Sequence, residues 1–253
     1  VSPKLTLAFG PWQKTEMYVN AGFGFHSNDA RGTTIRIDPV DGVSPVDRVT
    51  PLARSHGAEI GMRTSAVSGL VTTVSVWALD LDSELVFVGD AGGTEATGRT
   101  RRYGVELANF YRVSPWCVLD ADLAFTQARY RDSAGGGTRI ANSIATVVTG
   151  GVTLGKTQGW FGSARGRYYG PQPLLEDNSV RAPSSLIWNA NVGWRARDWE
   201  TVAELLNVFD RKTNDIAYHY SSRLPGEPAG GVDDVHFHPA EPLTLRFSIT
   251  RRF

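Results

Sequence analysis

The sequence predicts an all-β protein: an antiparallel transmembrane β-barrel, with about eleven strands present in 253 residues. Three observations predict it. Apolar and polar side chains alternate with period two in segment after segment, as strands with two unlike faces require. Within those segments the large apolar groups gather on one face, and Asn, Asp and Arg on the other. Short turns and long connections also take turns along the chain, as periplasmic turns and extracellular loops do in outer-membrane barrels.

Taken in order, strands are expected at about 4–10, 15–25, 53–65, 70–86, 99–113, 116–130, 143–156, 159–171, 184–197, 199–209 and 242–253. The clearest is 186–197, with Leu186, Trp188, Ala190, Val192, Trp194 and Ala196 on one face and Ile187, Asn189, Asn191, Gly193, Arg195 and Arg197 on the other. Cys117, Leu119, Ala121, Leu123 and Phe125 likewise oppose Val118, Asp120, Asp122, Ala124 and Thr126. In 73–82 the same rule predicts Trp77, Leu79 and Leu81 on the apolar face and Ala78, Asp80 and Asp82 on the polar one. The last segment sets Leu243, Leu245, Phe247 and Ile249 against Thr244, Arg246 and Ser248. Only Arg251 interrupts its apolar face, near the end, where an interface tolerates charge.

Lys or Arg facing lipid at mid-depth costs about 2–4 kcal/mol, whereas a wet lumen accepts it. A sandwich would need both inner faces apolar. The strands also run well beyond the roughly 5–6 residues usual in soluble sheets. Together these favour the barrel. Short turns are expected at Pro11–Lys14, Ser65–Ser68, Ser114–Pro115, Thr157–Gln158 and Asp198, and long loops at about 26–52, 87–98, 131–142, 172–183 and 210–241. Trp12, Trp116, Trp160 and Trp199 lie beside the short turns, where an interfacial aromatic girdle belongs.

Composition narrows the function classes. Lys+Arg and Asp+Glu both number 26, and the zero net charge speaks against a nucleic-acid partner. Cys117 is the single cysteine, so no internal disulfide forms. No apolar run approaches the roughly 18 residues of a membrane helix, which leaves barrel strands unaffected. Val1 starts inside a running pattern, and an odd strand number leaves first and last strands parallel, so further strands are expected upstream.

Several stretches resemble a known family. They are GFGFHSNDARG (22–32), RRYGVELANFYRVSPWCVLDADLAFTQARY (101–130), YYGPQPLLEDNSVRAPSSLIWNANVGWR (168–195), AELLNVFDRK (203–212) and SRLPGEPAGGVDDVHFHPAEPLTLRFSITRRF (222–253). In order and spacing they resemble the carboxy-terminal part of a TonB-dependent outer-membrane receptor. The resemblance implies a barrel of about 22 strands around an amino-terminal plug, of which residues 1–253 are the last half without the plug. It further implies energised uptake of a scarce nutrient such as a siderophore or haem across a Gram-negative outer membrane. The implied partners are outer-membrane lipid, a small-molecule ligand and barrel-assembly machinery reading the terminal Phe253. A TonB-type inner-membrane complex would engage a TonB box in the missing amino-terminal part. A passive porin-like channel and a soluble or surface β-protein acting as a binding module are the alternatives.

The familiar enzyme signatures are absent, so no catalytic residue, cofactor or metal is expected. Glu59, Glu106 and Glu204 read as lumen carboxylates paired with arginines. His236 and His238, two apart, point the same way on a strand, either as a metal or haem pair or as plain loop histidines. Tyr218, Tyr220 and Arg223 in the last long loop are candidates for ligand contact, and so are Asp29 and Arg31 at a strand–loop junction.

Overall fold

The computed structural model describes every residue except 29, 39–41, 89–92, 133–135 and 253, with the backbone alone at Arg31, 84–88 and 93–97. The chain runs β1 (Lys4–Trp12), β2 (Thr15–Ser27), α1 (Ala30–Thr34), β3 (Leu52–Thr64), β4 (Leu70–Leu81), β5 (Glu84–Val88), β6 (Gly93–Thr97), β7 (Thr100–Ser114) and β8 (Cys117–Tyr130). It continues through β9 (Thr146–Gly155), β10 (Gly159–Tyr169), β11 (Gln172–Pro173), β12 (Arg181–Ala182), β13 (Ser185–Arg195), β14 (Trp199–Leu206), β15 (Asn214–Ser222), β16 (Val232–Pro239) and β17 (Thr244–Arg251).

Eleven of these strands make one antiparallel sheet in the order β1-β2-β3-β4-β7-β8-β9-β10-β13-β14-β17. The number and order match the expectation. Every strand pairs with its sequence neighbours once the small hairpins β5–β6, β11–β12 and β15–β16 are set aside. β1 and β17 are the two ends of the sheet and do not pair with each other among the described residues.

Register decides what each face carries, because directly opposed residues project to the same side. Leu7, Val19, Ile60, Val76, Val105 and Phe125 stand side by side across six strands. On the same face Ala190, Leu205 and Leu245 follow one another across β13, β14 and β17. The residues of this face are widely exposed: Phe125 at 51%, Ile60 at 52% and Phe247 at 71%. Burying such a side chain is worth about 1.5–3 kcal/mol, so a contiguous face of them left in water would be untenable. This outer face is built for lipid.

Trp12, Trp116, Trp160 and Trp199 all lie exposed at the turn ends of their strands. Trp194 joins them, edge-on to Trp160 with ring centroids 5.2 Å apart. Arg251, the charge that interrupts the last apolar face, lies 5.2 Å over the Trp199 ring, so its cation sits in the girdle and not in the apolar band.

Two features depart from the sequence reading. Trp77 and Leu79 lie on the polar face, opposite Glu59 and Gly57, while Asp80 takes the outer side. Register overrides size here. Val76 completes the outer row between Ile60 and Val105, and Trp77 packs across Gly104, where an added Cβ would come within 3.0 Å of the indole. The second departure lies in the long loops. β4 ends at Leu81, and stretches expected as loops hold the hairpins β5–β6, β11–β12 and β15–β16. The segment 210–241 is therefore mostly a two-stranded ribbon, and His219 lies within β15. Phe253 lies outside the described residues.

One buried knot ties the wall together. Asn207, 2% exposed, follows β14 in a left-handed conformation with φ 48°. Its Nδ2 donates to the carbonyls of Arg211 and Glu241, both at 3.0 Å, and its Oδ1 accepts from the Arg211 amide at 2.9 Å. Its own amide donates to Asn189 Oδ1 at 2.9 Å. Three positions on, Asp210 accepts from the Leu243 amide at 3.1 Å. This AELLNVFDRK stretch thus anchors the approach to the last strand on both sides.

Candidate functional site

The inner face is lined by pairs of opposite charge and by amides. Glu59 accepts from the Tyr18 hydroxyl and from Asn20 Nδ2, each at 3.2 Å, with Trp77 opposite it in register. Gly61 makes this possible, because the Tyr18 ring lies across it and an added Cβ would overlap that ring. Along the same face Arg165 reaches Asp120 at 2.8 Å, Arg63 reaches Glu16 at 3.3 Å and Arg246 reaches Glu204 at 3.7 Å. Glu200 is shared between Arg195 at 2.6 Å and Arg252 at 3.6 Å. Exposed pairs of this kind contribute about 0–1 kcal/mol each, so they set side-chain direction more than they stabilise the wall. Between them lies an open concavity of about 570 Å³, whose lining includes Thr73, Phe110, Asp120, Asp122 and Arg165.

Above one end of this face the loops interlock. The β15–β16 ribbon sets Tyr218 opposite His236 and Ile216 opposite His238. Tyr218, Tyr220, His236 and His238 consequently share one side, and the Tyr220 and His236 rings stack at 3.9 Å with 12° between their planes. The ribbon's other side buries Ala217 with Leu174 and Ala182, and Val235 and Val180 pack against that cluster. The β11–β12 loop is tied in turn to the segment after β8, with Arg139 donating to Glu176 and Asn142 to Pro173 through their backbones. Arg99 grips Asp132 through two hydrogen bonds, and this guanidinium holds the Asp132 carboxyl below the usual carboxylate range. The backbone amide of Ser179 lowers Asp177 in the same way.

Of the predicted contact residues, the structure thus brings together Tyr218, Tyr220, His236 and His238. Arg223 sits apart at the ribbon tip, its Nε donating to the Glu227 carbonyl at 3.3 Å. Arg31 belongs to α1 on another loop, with its side chain outside the described residues, and Asp29 lies outside them altogether. Glu204 pairs with an arginine as expected, whereas Glu59 is held by a phenol and an amide. The Tyr18–Asn20–Glu59 group and the Asp120–Arg165 pair were not singled out from the sequence. Strand alternation places each residue on its face, but only register makes them neighbours. Among the described residues no three His, Cys, Asp or Glu side chains are grouped to hold a metal ion.

Residues 1–208 match a family model described as TonB dependent receptor-like, beta-barrel. The chain belongs to the TonB-dependent receptor family. The receptor chain is similar in fold to the closed form of the ferric-catecholate import receptor Fiu from E. coli K12, with TM-score 0.70 and 15% identity, over 99% of this chain and 34% of that one. It is similar to the copper transporter OprC, with TM-score 0.71 and 16% identity, over 100% and 39%. It also resembles the unliganded ferric citrate transporter FecA, with TM-score 0.70 and 17% identity, over 100% and 38%. The chain spans between 34% and 39% of the length of these structures. It is part of an outer-membrane β-barrel, and the exposed apolar face is its lipid face.

Proposed function

We propose that this chain is the carboxy-terminal half-barrel of a receptor that takes up a small nutrient ligand across the outer membrane. A plug and a TonB-contacting segment from the amino-terminal side would complete it, and the energy would come from a TonB-type inner-membrane complex. The observation that carries this reading is the aromatic side of the β15–β16 ribbon, where Tyr218, Tyr220, His236 and His238 meet. Aromatic rings and imidazoles suit a planar or aromatic ligand, such as a metal chelate, by stacking and by hydrogen bonding to its oxygen donors. Solved structures similar in fold include importers of ferric catecholates and ferric citrate and a copper transporter, and these make a metal or metal chelate the ligand class to test first. The lumen pairs, each weak, would exchange partners as ligand passes.

Quenching of tryptophan fluorescence in the full receptor, titrated with ferric catecholate, ferric citrate and free copper, tests this. One of them should bind, and Tyr220→Ala should weaken it by up to about tenfold, the worth of one aromatic stack. Saturable binding of one of these ligands that ignores Tyr218→Ala, Tyr220→Ala and His236→Ala alike would sink the ribbon as its seat.

A further inference from the structure

The outer face changes character at the loop ends of β3, β4, β7 and β8. One register row carries Phe23, His56, Asp80, Arg101 and Arg129 in sequence across five strands, and an isolated bridge sets Arg139 beside Arg129. The next outward-facing positions towards the loops are Arg54, Arg99 and Arg131, with the Arg131 amide bonded to the Arg99 carbonyl. Directly below lie Tyr103 and Gln127, and next below them Phe125 of the lipid face, with Tyr103 at 49% and Phe125 at 51% exposure. A charged belt therefore rims the apolar band on its extracellular side.

Among the described residues the belt does not neutralise itself. Asp80 holds Arg101 at 2.9 Å, Arg131 at 3.4 Å and His56 at 3.5 Å, and Asp132 holds Arg99 at 2.7 Å. Asp82, whose amide bonds to the Arg54 carbonyl at 2.9 Å, is the remaining acid of the belt among the described side chains. No carboxylate among the described residues pairs with Arg54, Arg129 or Arg139; Arg129 Nη1 donates only to the Thr138 hydroxyl, at 3.1 Å. Adjacent guanidinium groups at a lipid boundary repel more than they would in water, and an anion between them relieves this. The only surface that a lipid-facing rim at this height meets is the headgroup layer.

We propose that this belt is a binding site for phosphate-bearing lipid headgroups of the outer leaflet, with Arg54, Arg129 and Arg139 as its principal contacts. Guanidinium forks bind phosphate oxygens in pairs, and the rings of Tyr103 and Phe125 below would pack the acyl chains of the same lipid. The site fixes the barrel's height and rotation against the leaflet, independently of any transported ligand.

The test places the full receptor in nanodiscs of phosphatidylcholine doped with phosphatidic acid and reads co-retained lipid by native mass spectrometry. Phosphatidic acid should be enriched over phosphatidylcholine. An Arg54→Gln/Arg129→Gln/Arg139→Gln variant should lose roughly fivefold per arginine and about a hundredfold in all. Asp80→Asn, which frees Arg101 and Arg131, should raise the enrichment, a gain that misfolding cannot mimic. The lumen variant Arg165→Gln should leave it unchanged. Absence of enrichment, enrichment that survives the triple variant, or a dimer of receptors that the triple variant abolishes would each overturn the proposal.

Discussion

The eleven-stranded wall and the loop assembly above it are made of the same kind of strand, yet they are held by different forces. The wall has unbroken ladders up to thirteen residues long, between β2 and β3, and its two faces differ in polarity along most of their height. The loop assembly has hairpins with strands of two to nine residues; one small cluster ties Ile140 to Ala128 and Tyr130 at the end of β8, and another gathers Leu174, Ala182 and Ala217 from two hairpins. In the wall, backbone pairing and lipid do the holding, and side chains are free to serve the lumen. In the loops, a few buried side chains and ion pairs must do it. That contrast places stability in the wall and adaptability in the loops, where a receptor needs each.

The comparison can be broken at its strongest point by moving a charge across the wall. Val76→Arg places a guanidinium in the outer row and should cost about 2–4 kcal/mol in urea unfolding from lipid vesicles. Val202→Arg, on the inner face between Glu200 and Glu204, should cost less than about 1 kcal/mol. Equal costs would mean that the faces are misassigned. Asn207→Ala is expected to cost roughly 2–3 kcal/mol, since it strands two carbonyls and an amide that are bonded to it. It should also shift heat-modifiable migration towards the unfolded band at lower temperature. Gly61→Ala, which displaces the Tyr18 ring, should cost about 1–3 kcal/mol while leaving the outer face intact. The outer row through Ile60 should not respond, because the displaced ring lies on the lumen side.

The smallest effect concerns the loops and is read by pH. Asp132 has its pKa lowered by Arg99, so the folded loop binds that proton less readily than the unfolded one. The pair's contribution is complete above the ordinary aspartate value of about 4 and is lost as pH falls below it. Hydrogen exchange at the Tyr130 and Arg131 amides, corrected for intrinsic rates, should show less protection at about pH 3 than at about pH 7. Asp132→Asn should remove that difference, whereas the wall amides of β7 should show none in either protein. A loss of protection spread evenly over wall and loops would refute the separation.

The sequence was legible where the wall repeats itself. Leu186, Trp188, Val192 and Trp194 alternate with Asn189, Asn191 and Arg195 strictly enough that alternation alone assigns each its correct face. It was least legible where alternation and size disagree, as at Trp77, a large residue on the polar side because Gly104 leaves room for it. It failed for the ribbon 214–239, whose charges, prolines and glycines read as loop. Among the contact candidates, period two placed His236 and His238 on one side correctly, but nothing in the chain indicated Tyr220 stacked on His236.

By itself, then, the sequence determined the number of wall strands, their faces outside the segment around Trp77, the tryptophan girdle and the family resemblance. The first three follow from period and polarity, which are properties of single strands in two solvents, whereas the family rests on the resemblance of particular stretches. Only the tertiary structure decided which residues become neighbours across strands: Glu59 with Tyr18 and Asn20, Arg165 with Asp120, and Arg129 beside Arg101 and Arg139. The reason is register. A slip of two residues preserves every face and every polarity pattern, yet changes every cross-strand partner, so the sites depend on ladders that no single strand encodes.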